Sequence, residues 1–187
     1  MTDASLIDPT VIHEPPPTAD ETEMLLFALD RSRAQFAWKA GGLDDAALHR
    51  TVASSRMTLA GMIKHLALME DLTTTEWLTG RMDGPWRREH FDADPEWDWH
   101  TALHDSADDL YELWSAAVGR ARAAWREALA DRGLDGPAAL VEVDGQPANL
   151  RRGLVDLHDE YARHVGHADL FREAIDGLVG EDPPQPE

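Results

Sequence analysis

Leu157-His158-Asp159-Glu160-Tyr161-Ala162-Arg163-His164-Val165-Gly166-His167-Ala168 reads as the middle of one long helix. Leu150, Leu154, Leu157, Tyr161, Ala168, Phe171, Ile175 and Leu178 recur at helical spacing and define a single apolar stripe. Asn149 caps the start, and Gly180 with Pro183 stops it, so the helix is expected over about 150–178. At 100° per residue, His164 lies within about 20° of the stripe's centre and Glu160 within about 60°, whereas Asp159, Arg163 and Arg172 point away. A helix of this length with one apolar face has to bury that face on other helices.

Those partners are visible upstream. Thr18 or Asp20 caps a helix over about 20–39, with Met24, Leu25, Phe27, Ala28, Ala34 and Trp38 apolar and Gly41-Gly42 closing it. After a short acidic turn at Leu43-Asp44-Asp45, Thr58 caps a second helix over about 59–79, with Leu59, Met62, Leu66, Met69 and Thr73 inward. Residues 80–104 read as a long loop carrying Trp86, Phe91, Trp97 and Trp99, whose aromatic content implies that it packs back onto the domain. Asp105 or Ser106 starts a third helix to about Asp131, with Leu110, Leu113, Trp114, Ala117, Ala121, Ala124, Trp125 and Ala128 inward and Gly133 at its end. Leu140-Val141-Glu142-Val143 is a short extended piece before the last helix. Four long helices and almost no strand signal predict an all-α fold, an antiparallel four-helix bundle over 19–180. Residues 1–18 read as a disordered Pro-rich leader, and 181–187 as a flexible tail.

The chain has 187 residues, enough for one sizeable core. Its net charge of -19 argues against nucleic acid and against anionic membrane surfaces as partners, since phosphate neutralisation needs a basic face. No apolar run is long enough to span a bilayer, and the acidic N-terminus lacks the features of a signal peptide. Cysteine is absent, so there is neither a disulfide framework nor a thiol nucleophile. A cytoplasmic location is expected.

Glu160 and His164 are four residues apart and stacked one above the other on a core-facing stripe. An unpartnered charge there is costly, and a divalent cation accepting both removes the cost. A third ligand has to come from a neighbouring helix. His65 is the one histidine on the second helix and lies about 60° from the centre of its stripe, beside Met69 and Leu72. Two nitrogens and one oxygen leave a coordination position open, as in catalytic zinc. Two other wirings stand beside this one: His167 taking the place of Glu160, or Glu160 and His164 pairing with arginines or with each other. The spacing is not His-Glu-x-x-His, and no Ser-His-Asp set or phosphate loop is present. His13, His49, His90, His100, His104 and His158 are given no role.

The segment Gly61-Met62-Ile63-Lys64-His65-Leu66-Ala67-Leu68-Met69-Glu70-Asp71 resembles the Lys-His-Leu…Glu-Asp helix of the DinB-like superfamily. Tyr161-Ala162-Arg163-His164-Val165-Gly166-His167-Ala168-Asp169-Leu170, followed by Arg172-Glu173 and Ile175-Asp176-Gly177, is similar to the C-terminal signature of one branch, DUF664, related to mycothiol-dependent enzymes. The resemblance covers about residues 20–180. It implies an up-down-down-up bundle with a metal on three side chains. Many members use His on the second helix and His-x-x-x-His on the fourth; here Glu160 takes the first place of that pair, as in mycothiol-dependent maleylpyruvate isomerase, and His65, Glu160 and His164 fill the three positions. His167 then falls behind the ligands. His158-Asp159 and the Trp-rich loop at 86–99 depart from the usual pattern, so the resemblance carries over no substrate pocket.

The resemblance implies a metal-dependent transferase that uses a low-molecular-weight thiol, mycothiol, against a small electrophile. Zinc is the expected metal, with nickel, iron and manganese also suited to the donor set. A metal-dependent hydrolase, a non-enzymatic metal-binding or stress-response protein, and a pocket that binds without turnover are the alternatives. A homodimer is in keeping with helical bundles of this kind.

Overall fold

A computed structural model describes residues 10–82, 85–141 and 145–185. It is mostly helical. The long elements start where the sequence offers a side-chain acceptor to the free N–H groups of a first turn. Asp20 accepts from Glu23 N at the head of α1 (Glu21–Ala40), and Asp44 from Ala47 N at the head of the short α2 (Asp45–Leu48). Thr58 accepts from Gly61 N at the start of α3 (Leu59–Asp71). The acidic turn expected at 43–45 is therefore the cap and opening of α2.

Beyond Asp71 the chain stays helical but changes pitch. Leu72–Glu76 form a π turn, and α4 (Trp77–Thr79) completes the run to Gly80. Thr73, Thr74, Thr75 and Thr79 each return a hydroxyl hydrogen bond to the carbonyl four residues earlier. Such back-bonding competes with the helical ladder and accompanies its local rearrangement.

The stretch expected to be a loop contains two short helices, α5 (Arg88–Ala93) and α6 (Trp97–Ala102). Six-residue helices are too short to show a periodic signal. Trp86 is buried, and α6 packs on α3. Ser106 accepts from Asp109 N to open α7 (Ala107–Arg132). Antiparallel strands β1 (Pro137–Val141) and β2 (Pro147–Asn149) follow; of the extended piece expected at 140–143, Glu142 and Val143 lie outside the described residues.

Asn149 accepts from Arg152 N to start α8 (Leu150–Asp176). Left-handed Gly177, at φ 83°, ends it three residues before the Gly180 stop read from sequence. Of the expected leader, residues 1–9 lie outside the described residues; within 10–18, Ile12 N donates to Gln185 Oε1 and Thr10 O accepts from Gln185 Nε2.

The helices pack α1 on α8, α8 on α3 and α3 on α7. Phe36, Leu66, Trp114, Leu157 and Tyr161 are in the core. Two acidic residues at the end of α3 tie these helices together. Glu70, fully buried, accepts from Arg33 of α1 at 2.7 and 2.6 Å and from the Tyr161 hydroxyl of α8 at 2.6 Å. Trp114 Nε1 of α7 donates to the same hydroxyl at 2.8 Å. Asp71 accepts from Arg120 of α7 at 3.0 and 2.8 Å and from Trp86 Nε1 at 2.8 Å. A buried ion pair adds little net stability, but leaving one member unpaired is expensive, so these contacts select one arrangement of the helices.

Arg172 does not point away, as its wheel position implied. It is mostly buried, and its guanidinium donates to Gly41 O at 2.6 Å and Lys39 O at 3.2 Å. Those carbonyls lie at the C-terminal end of α1, where helical partners run out.

Candidate metal centre

The three side chains singled out by spacing meet between α3 and α8. His65 Nε2 is 3.6 Å from Glu160 Oε2, and His164 Nε2 is 3.7 Å from the same oxygen. One donor atom from each lies within 4.8 Å of the others; among the described residues this is the one such group of three. The two imidazoles stand edge to face with centroids 5.1 Å apart. Among the described residues no arginine pairs with Glu160: Arg163 turns to Asp159 at 3.7 Å, and Glu160 faces the two histidines.

His164 is 6 % exposed. Burial, reinforced by the neighbouring His65, His167 and Arg163, pushes its pKa down to about 3. Its ring is neutral at physiological pH and offers a lone pair. His167 Nδ1 lies 3.4 Å from His164 Nδ1, behind the ring, which leaves His164 Nε2 free to face Glu160. The side-chain exposures, 38 % for Glu160 against 18 % for His65 and 7 % for His164, mark the carboxylate side as the open one.

Two residues that sequence reading did not assign complete the surroundings. Asp98, 2 % exposed, places Oδ2 2.8 Å from His65 Nδ1. Trp99 stacks on His65 with centroids 5.0 Å apart and reaches within 5.7 Å of His164. Gly61, one turn before His65, makes this closeness feasible: a Cβ there would stand 2.5 Å from Trp99 Cε3. The density of aromatics at 86–99 was the only signal in the sequence, and it indicated packing without a destination.

The donor set fits a divalent cation. Two imidazole nitrogens and one carboxylate oxygen, with one side accessible, match a three-ligand centre that keeps a position open. Three other histidines are held elsewhere: His49 Nε2 lies 3.1 Å from Ala102 O, His100 Nδ1 lies 2.7 Å from Asp94, and His90 stacks on Trp97. A separate cleft of about 400 Å³ lies between residues 11–15, α1 and α7, and no member of the triad lines it. Its arginines are engaged, Arg31 with Asp182, Arg33 with Glu70 and Asp30, and Arg122 with Asp30.

A family model for mycothiol S-transferase matches residues 24–177, a span that holds all three triad residues together with Asp98 and Trp99. No curated protein matches the chain. No helix among the described residues is long and apolar enough to cross a membrane.

Proposed function

The chain belongs to the mycothiol S-transferase family, and we propose that it transfers mycothiol to a small electrophile with the help of a divalent metal held by His65, Glu160 and His164. The observation that carries this reading is the convergence of the three donors within 4.8 Å, with the carboxylate side open. Zinc suits two imidazoles and a carboxylate best, and nickel, iron or manganese also fit. The metal would supply Lewis acidity, holding the sulfur of the co-substrate as thiolate at neutral pH. The absence of cysteine from the chain is in keeping with an imported nucleophile.

The chain's own residues bind and orient. His164 is buried and neutral, so it need not lose a proton to become a donor. Trp99 covers the histidines, leaving approach from the Glu160 side. In the transfer, the thiol gives up its proton, sulfur bonds to the electrophilic carbon, and the leaving group departs with the electron pair of its bond. We read α1, α3, α7 and α8 as the up-down-down-up antiparallel bundle of DinB-like proteins, over residues 19–180, in a cytoplasmic protein. The packing of α8 on both α1 and α3, and of α3 on α7, supports that topology.

The test is turnover of chlorodinitrobenzene with mycothiol, with zinc loaded and after chelation. Metal-dependent release of chloride that disappears in His65→Ala is the expected result. Turnover unchanged by His65→Ala would overturn the reading. Tight metal binding without turnover of any electrophile would favour a metal-binding protein that is not an enzyme.

A further inference from the structure

Asp98 stands on a connector between α3 and α7, yet its carboxylate is buried against a ring on α3. Such a carboxylate needs a donor. His65 Nδ1, at 2.8 Å, supplies one. The bond fixes which nitrogen of His65 carries hydrogen: with Nδ1–H directed at Asp98, the lone pair is on Nε2, the atom that faces Glu160 Oε2. Trp99, the next residue, stacks on the same ring and limits its rotation. The two neighbours act on one imidazole in complementary ways, one setting the tautomer and the other the plane.

We propose that Asp98 is the positioning residue of the metal centre: its hydrogen bond to Nδ1 holds His65 as an Nε2 ligand, and α6 packs on α3 in part to deliver it. The proposal rests on the metal reading of His65, Glu160 and His164 and does not depend on the transfer reaction. A carboxylate behind a metal-bound imidazole is worth roughly 10–100-fold in metal affinity. The neutral amide of Asn still offers an oxygen to Nδ1–H, so it should retain part of that effect.

The test measures zinc affinity by competition with a chromophoric chelator for the full-length protein and for Asp98→Ala and Asp98→Asn. About a 10–100-fold loss is expected for Asp98→Ala, and a smaller loss for Asp98→Asn. Asp98→Asn keeps the shape and a hydrogen-bond acceptor, and stands in if the alanine variant does not fold. A second readout is independent of affinity. Nitrogen-15 histidine spectra of the zinc-loaded protein should show His65 with hydrogen on Nδ1 and metal on Nε2, and faster exchange of that hydrogen in Asp98→Asn. Ligation through Nδ1, or zinc affinity within twofold of the original in the folded variants, would overturn the proposal. A protein that binds zinc in this Asp98-dependent way but transfers no thiol would leave it standing and refute only the transferase reading.

Discussion

Tyr161 donates its hydroxyl hydrogen to Glu70 Oε1 at 2.6 Å, joining α8 to α3, the two helices that carry the candidate metal site. Tyr161 follows Glu160 directly, and Glu70 lies five residues after His65. The bond therefore helps to set the rotation of both helices that carry the triad. Glu70 is also the buried partner of Arg33, so the same carboxylate fixes α1.

Removing that carboxylate should be costly. Glu70→Ala leaves Arg33, which is 3 % exposed, buried without its bidentate partner. A loss of about 3–5 kcal/mol is expected in urea denaturation. Replacing both members, Arg33→Met with Glu70→Leu, should recover much of the loss, and failure to do so would show that Glu70 acts chiefly through Tyr161.

Gly61 should tolerate no side chain while Trp99 is in place. Gly61→Ala drives a methyl into the indole and is expected to cost about 1–3 kcal/mol, the range for overpacking a filled site. Adding Trp99→Leu to Gly61→Ala should return part of the loss, giving a non-additive double-mutant cycle. Additive effects would mean that the indole and Gly61 do not press on each other in solution.

The metal-free protein should carry a pH signature from His164. Its folded pKa is depressed to about 3, against about 6.5 in an unfolded chain. As pH falls through this window the unfolded state takes up a proton that the folded state refuses. The contribution of His164 to stability is thus intact above about 6.5 and declines toward pH 3. The stability difference between the original protein and His164→Gln, both chelated, should shift in favour of the variant over this interval. A difference independent of pH would contradict the burial of the ring.

Zinc should stabilise the fold as well as load the site. Ligand present at 100 times its Kd adds about 2.7 kcal/mol when only the folded state binds it. The melting temperature should rise on adding zinc, and the rise should shrink or vanish in Glu160→Ala, whose side chain is part-exposed and contributes little to packing. An equal rise in that variant would place the zinc elsewhere.

The four long helices were legible in the sequence because their signals are local. Asp20, Thr58, Ser106 and Asn149 each satisfy a backbone N–H three residues on, and apolar spacing marks the face to be buried. Glu160 and His164 stood out for the same reason: a fixed rise per residue turns a spacing of four into adjacency on one face. Periodicity is blind to the identity of a partner on another element. Arg33, Glu70, Asp71 and Arg172, each with a partner on another element, therefore gave no sign that they would be buried and paired. Nor could periodicity find Asp98 and Trp99, which lie in α6, a short helix of an aromatic connector, and reach His65 from more than thirty residues away. The starts of the long helices and the apolar face of each were settled by the chain order alone. Which buried charges meet, and which carboxylate stands behind His65, became determinate only when distant segments came to share one desolvated space, where every charge must find a partner.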